Sequence, residues 1–415
     1  SSAASDVYKR QMLYRKKGMG SLENQLEISE QTKGKNSALV VAATCMISFM
    51  GVGLVDPILK TIAAQLDATP AQTTLLFTSY MLVTGVVMLF TGFLSSRIGL
   101  KKTLMAGLFI IVIFAGLGGL SNNINTLIGL RAGWGVGNAL FVSTALATIV
   151  SILVGNTEKA IMMYEAALGC GMAVGPLVGG ILGSGSWRYP FYGVATLMFL
   201  GFIALAFLLP EAEKPKTKVG FWEGVKALSN HKLRSVGLIA LLYNFGFFTL
   251  LAYAPFLLVG YSELAVGFVF FGWGVLLAIA SIFVAPALEK KFTTYRTILV
   301  AFIFFIICLA LLGAGASFQV LVPISIVLSG FFQGIINTLL TTIAMEIPGL
   351  QRNVASSSYS FVRFFGGALA PFIAGEIGEK MGESYAFYFA AIIVVISVVC
   401  IIYHRNYFVT SEGEE

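Results

Sequence analysis

Asp56, Arg131, Glu165 and Arg363 are charged residues set inside long apolar runs. A charge in an apolar membrane span costs about 2.5–3.5 kcal/mol on insertion scales, so each is expected to have a partner and a task. Asp56 and Arg131 each lie about one helical turn from the same end of their runs, at matching depth. That predicts an ion pair, either static and holding two helices together or part of a proton relay. Glu165 lies about two turns into its run with no basic residue close in its own helix. It reads either as a carboxyl group that exchanges protons and attracts a lipophilic cation, or as a carboxylate reaching back to water at the helix end. Arg363, near the middle of its run, is a partner for Glu165 across an interface or a seat for an anionic substrate. The candidates for proton coupling are therefore Asp56, Glu165 and Arg131.

Other chemistry is missing from the pattern. Cys45, Cys170, Cys308 and Cys400 fall in apolar runs without metal-ligand spacing and read as small core residues. His231 and His404 lie at run ends. The close glycines of "GWGVGNA" sit inside a span and follow no strand, which argues against a dinucleotide site. No phosphate-binding loop or nucleophile triad is present. The expectation is no enzyme, no metal and no cofactor, with work drawn from a gradient. One charge moved through about 100 mV supplies about 2.3 kcal/mol, enough for about 50-fold accumulation of a neutral solute.

The elements that carry these residues follow from hydropathy. The chain has 415 residues, 57% hydrophobic and only 11% charged. Its net charge of +7 comes from basic residues that punctuate apolar runs, so it does not signal a nucleic-acid partner. The first eleven residues, "SSAASDVYKRQ" (1–11), read as a translated sequencing-library adaptor rather than native sequence. Apolar windows fall at 37–60, 72–95, 102–121, 125–150, 160–183, 189–209, 235–259, 264–288, 296–315, 318–346, 354–377 and 384–403. Twelve spans need about 240 residues, which the chain supplies with short loops to spare. The expected organisation is an N-terminal segment 12–36, a six-helix half 37–210, a charged linker 211–234, a second half 235–404 and a tail 405–415. With the N-terminus inside, the inner segments hold twenty Lys and Arg against three outside, Lys60, Arg188 and Lys380. The positive-inside rule then puts both termini in the cytoplasm.

The halves repeat. Gly135 and Asn138 recur as Gly334 and Asn337, Asp56–Pro57 as Ala254–Pro255, Ser96–Arg97 as Lys290–Lys291, and Gly171, Pro176 and Gly180 as Gly366, Pro371 and Gly375. Each pair keeps nearly the same offset. Two six-helix halves of parallel topology around a cavity are the architecture this implies.

Three motifs sharpen the picture. "GFLSSRIGLKKTL" (Gly92 to Leu104) resembles the signature between spans 2 and 3 of the major facilitator superfamily, with Gly92, Arg97 and Gly99 in place. Where that signature carries an Asp that helps latch the halves, this chain has Ser96, so its latch is expected to be made differently. "RAGWGVGNALF" (Arg131 to Phe141) is similar to the span-4 signature. "GMAVGPLVGG" brings Gly171, Gly175, Pro176, Gly179 and Gly180 together and is similar to the span-5 motif of drug:proton antiporters with twelve spans. Small residues at i, i+4 and i+8 make a smooth face for a close neighbour, and the proline bends the helix. The expectation is a smooth helix at the junction of the halves that lets one rock on the other. The alternative is ordinary close packing.

The resemblance implies an all-α membrane protein of twelve helices in two pseudo-symmetric halves. It implies that spans 1, 4, 7 and 10 line the cavity, with Trp134, Asn138, Tyr243, Asn244, Gln333, Asn337 and Arg363 as candidate substrate contacts. It also implies a monomer in a prokaryotic plasma membrane that expels amphipathic compounds in exchange for protons. Two rivals remain open from the residues: transport of a small organic anion, and a receptor or scaffold that transports nothing.

Overall fold

The computed structural model describes residues 34–54, 58–68, 70–153, 156–211, 218–258, 260–261, 263–315 and 319–408. The protein is all-helical over these residues, with twelve helices long and apolar enough to cross a membrane. The first half contains α1 (Gly34–Gly53), α2 (Pro70–Ile98), α3 (Leu100–Leu120), α4 (Ile124–Ile152), α5 (Thr157–Gly183) and α6 (Tyr189–Leu208). The second contains α7 (His231–Leu257), α8 (Ala265–Phe292), α9 (Thr294–Gly313), α10 (Leu321–Met345), α11 (Arg352–Met381) and α12 (Glu383–Tyr403).

Polar caps set helix ends where hydropathy alone is blind. The Asn230 side chain accepts from the backbone N–H of Lys232 and Leu233 at 3.0 and 3.1 Å, so α7 starts at His231, before the apolar window. Asn123 accepts from Asn125 and Thr126 at 2.8 and 3.2 Å and starts α4 the same way. The expected first window runs too far, because the described helix ends near Gly53 and a separate short helix, Leu59–Gln65, follows. α8 carries a π-helical turn at Ala280–Val284 that the windows give no sign of. The expected linker also holds a short helix, Glu223–Ala227.

Burial sorts the helices into layers. In α4, α10, α7 and α1 the apolar window is 83%, 78%, 72% and 61% buried, against 28% in α6 and 39% in α12. The first four are therefore the inner helices of the bundle. Side chains such as Phe199, Ile203 and Phe207 of α6 and Ile392, Val395 and Val399 of α12 are exposed on the outer surface. Exposed apolar surface of this extent, on helices long enough to span a bilayer, suits a lipid surround.

The halves meet along two seams, α2 against α11 and α5 against α8. At the α5–α8 seam the backbones nearly touch. A Cβ added to Gly274 would lie 2.6 Å from the Gly169 carbonyl and 2.1 Å from the Ala173 Cβ. The internal repeat is visible in the packing. Gly171 of α5 meets the Met46 carbonyl of α1, and Gly366 of α11 meets the Leu241 carbonyl of α7, with both residues displaced by the same step along the chain.

Candidate functional site

The site is built by α5, α10 and α11. Glu165 lies eight residues into α5 and Arg363 eleven residues into α11, about 12 and 16 Å along their axes. Both helices are long enough to overhang a hydrocarbon layer about 30 Å thick, so both residues lie inside it, nearer the end at which α5 and α11 begin. Across the boundary between the halves, Arg363 Nη1 donates to Glu165 Oε1 at 2.8 Å and Nη2 donates to Oε2 at 3.3 Å. Thr341 of α10 adds a hydroxyl donor to Oε1 at 2.8 Å. Arg363 Nη2 also donates to Asn337 Oδ1 at 3.4 Å, and its guanidinium lies 5.7 Å from the centre of the Tyr359 ring. The Glu165 side chain is 0% exposed and that of Arg363 7%. One alternative is corrected here, and one of the two roles left open for Arg363, partner of Glu165, is seen. Glu165 does not reach back to water, and Arg363 is already committed to a carboxylate.

Arg131 is also buried, at 1% exposure. Its guanidinium stacks on Tyr80 and Trp134, with centroids at 4.5 and 4.8 Å, and donates long bonds of 3.4 Å to the carbonyls of Leu76 and Gly51. Stacked aromatic faces and carbonyls suit a desolvated guanidinium. The expected partner, Asp56, lies outside the described residues.

The structure separates the candidate substrate contacts. Trp134 packs inside the first half between Gly51, Tyr80 and Phe191, so its ring serves Arg131 and the core. Tyr243 sits in an aromatic cluster with Phe247, Phe302 and Phe305, and its hydroxyl donates to the Gln333 carbonyl at 3.3 Å. Asn244 donates to the Ala240 carbonyl at 2.7 Å and borders the cavity between the halves. Asn138 accepts from Ser48 at 2.6 Å. Gln333 accepts from the Trp273 indole at 2.8 Å, and Asn337 touches Arg363. The cavity itself is small, about 10 Å³, between Phe49, Leu168 and Met172 of one half and Phe247, Phe364 and Arg363 of the other. It has room for about one water. Thr341, on Glu165, and Trp273, on Gln333, are site residues that hydropathy and motifs do not single out. The signal for Thr341 was there: Ser325, Ser329, Gln333, Asn337 and Thr341 recur every four residues and are all buried.

The glycine string is reassigned. Cβ atoms added to Gly171, Gly175 and Gly179 would lie 2.3, 2.6 and 2.3 Å from the carbonyls of Met46, Met50 and Leu54, all in the α1 segment of the same half. Pro176 packs against Gly53 from the same side, while Gly180 faces nothing within 4 Å. The smooth face therefore joins α5 to α1 and is not at the junction of the halves. That junction belongs to Gly169 and Gly274.

The linker crosses both halves at one end of the bundle. Ser96 Oγ donates to the Phe93 carbonyl at 2.8 Å and accepts from the Val219 N–H at 3.0 Å. Phe221 stacks on Phe90 at 4.6 Å. Gly224 lies so close to the Leu89 carbonyl that a Cβ would come within 2.1 Å of it, and its own carbonyl accepts from Ser358 of α11 at 2.8 Å. At the same end Ser356 donates to the Ser143 carbonyl at 2.8 Å, from α11 to α4. Gly92 lies within α2 and Gly99, at φ +94°, makes the turn into α3, with Arg97 stacked on Phe93 at 4.5 Å. Among the described residues no cluster of His, Cys, Asp or Glu could hold a metal ion.

A family model described as Major Facilitator Superfamily matches residues 41–313 and 258–414. The chain belongs to the major facilitator superfamily. It is a multi-span membrane transporter rather than an enzyme, and the receptor-or-scaffold alternative falls with that membership. This superfamily member is similar to Multidrug efflux protein YfmO of Bacillus subtilis (strain 168), 52% identical over 88% of this chain and 92% of that protein. It is 24% identical to Quinolone resistance protein NorA of Staphylococcus aureus (strain MRSA252), over 86% of this chain and 94% of NorA. Among solved structures, the human organic anion transporter MFSD10 (TETRAN) shares the fold with a TM-score of 0.74 and 16% identity, covering 89% of this chain and 99% of that one.

Proposed function

We propose that this transporter expels amphipathic compounds, cations foremost, from a bacterial cell in exchange for protons, and that Glu165 is the coupling group. It acts as a monomer in the plasma membrane with both termini in the cytoplasm, so the linker end is the cytoplasmic end. The observation that carries the reading is the Glu165–Arg363 pair, which bridges the two halves within the apolar spans. Alternating access requires the halves to part and re-close. A buried pair with one member on each half resists parting, because separating it strands two charges in low dielectric. Protonation of Glu165 removes the carboxylate charge and releases Arg363. A cationic substrate does the same by taking the place of Arg363 on the carboxylate. Proton and substrate thus compete for one group, which is the logic of an exchanger. The 52% identity to a multidrug efflux protein supports the outward direction and the substrate class.

The rival reading, in which Arg363 receives a small organic anion, needs a guanidinium free to bind it. Here that guanidinium already makes two bonds to Glu165 and one to Asn337. The test is flux of a lipophilic cation in proteoliposomes with and without an imposed pH gradient. Glu165→Gln, a mimic of the protonated group, should abolish the acceleration by the gradient while downhill flux persists. Undiminished acceleration in that variant sinks the coupling role, and gradient-driven flux of anions alone supports the rival.

A further inference from the structure

Two buried amides on α10 are oriented by their partners. Gln333 Oε1 accepts from the Trp273 indole, and Asn337 Oδ1 accepts from the Arg363 guanidinium. An indole N–H and a guanidinium can only donate. The oxygen of each amide is therefore the atom that faces its partner, and the usual ambiguity between amide oxygen and nitrogen does not arise. Each NH₂ group is turned away. Gln333 Nε2 and Asn337 Nδ2 are both buried, and neither has a hydrogen-bond partner among the described residues. The residues are one turn apart on the same face of α10, with exposures of 0% and 1%. Asn138, the repeat counterpart of Asn337 in the other half, shows the same pattern: its oxygen accepts from Ser48, and its Nδ2 has no partner among the described residues.

Buried donors left unmet are costly. Gln333 and Asn337 lie one turn apart on α10, and Asn337 contacts the central arginine, so an acceptor brought to this face would meet these donors. We propose that Gln333 and Asn337 form the polar end of the substrate site and take a hydrogen-bond acceptor oxygen, such as a carbonyl, from an otherwise apolar substrate. Arg363, which Asn337 touches, borders a small cavity that is lined mostly by apolar side chains, Phe49, Phe247 and Phe364 among them, and by Asn244. Asn337 and Glu165 both bond Arg363, which lines that cavity, and Gln333 lies one turn from Asn337 on α10. The matching ligand is a bulky apolar cation with an acceptor oxygen. This inference rests on the export reading above and adds to it the chemistry of recognition.

A matched pair of probes tests it: benzoylbenzyl-triphenylphosphonium and benzylbenzyl-triphenylphosphonium, which differ by a carbonyl in place of a methylene. Binding is measured by equilibrium dialysis against the full chain in nanodiscs. The intact protein should bind the carbonyl compound about tenfold tighter, the worth of one buried hydrogen bond. Gln333→Met, close in length but without the amide, should cut that preference, read as the ratio of the two affinities, to about threefold or less. Should that variant not insert, the ratio in the unaltered protein still decides. Equal affinity of the unaltered protein for the two probes overturns the inference while leaving export standing. A preference that survives both Gln333→Met and Asn337→Ala overturns the assignment to these residues. Binding of neither probe overturns the export reading for lipophilic cations and the inference with it.

Discussion

At the scale of single residues, the ion pair is the feature with most at stake. Removing one member of a buried pair leaves an uncompensated charge and typically costs about 3–5 kcal/mol. Glu165→Gln and Arg363→Gln should each lower the melting temperature of the purified protein sharply. The double variant should melt above either single one, because no charge is then stranded. Additive losses would show that the two groups do not interact. Thr341→Val keeps the shape of the side chain and removes one donor to Glu165. It should cost about 1 kcal/mol in the same melting assay. Arg131 rests in part on aromatic faces and backbone carbonyls, so Tyr80→Leu should weaken its seat without touching Glu165.

At the scale of elements, close backbone approach between α1 and α5 decides which glycines matter. A methyl group at Gly171 would press on the Met46 carbonyl, whereas one at Gly180 would meet nothing. Gly171→Ala should reduce the yield of folded protein in the membrane. Gly180→Ala should be neutral or slightly stabilising, since alanine favours a helix by about 1 kcal/mol. Yield by fluorescence-detected size-exclusion chromatography separates the two. The turns into α3 and α9 make a second comparison. Gly99 turns at φ +94° and ψ 156°, and Thr293, its repeat counterpart, does so at φ 72° and ψ 147°. That backbone region is almost exclusive to glycine and costs other residues about 1–3 kcal/mol. Thr293→Gly should therefore raise the melting temperature, and an unchanged or lower value would show that the turn carries no strain.

At the scale of the whole molecule, the linker joins the two halves at one end, largely through backbone groups. The Val219 N–H on Ser96, the seat of Gly224 on Leu89 and the Ser358 bond tie the linker to α2 and α11. Ser96 fills the position of the family carboxylate and accepts a neutral N–H instead. Gly224→Val should unseat the linker and shift the protein towards opening at that end. The readout is labelling of a cysteine placed at Ser356, in a background without the four native cysteines, by a membrane-impermeant maleimide. The rate should rise several-fold, and an unchanged rate would show that the linker does not latch the halves. Gly274→Leu, at the α5–α8 seam, should slow transport more than Gly175→Leu slows the fraction that folds, because only Gly274 lies between the halves.

The sequence by itself determined the twelve spans, the two-fold repeat and the family. Hydropathy summed over about twenty residues is a local quantity, and motif spacing survives without knowledge of packing. It also marked Glu165 and Arg363 as unusual, since a charge in an apolar run is visible in one dimension. Only the tertiary structure decided who meets whom. Glu165 and Arg363 are 198 positions apart, and Ser96 and Val219 are 123 apart. Whether the glycine string of α5 faced α1 or the other half depended on the rotation of that helix about its own axis. Hydropathy cannot fix that rotation, because in α5 lipid, neighbouring helices and the opposite half all present apolar surfaces. The backbone carbonyls of Met46, Met50 and Leu54, which only glycine can approach this closely, settle it.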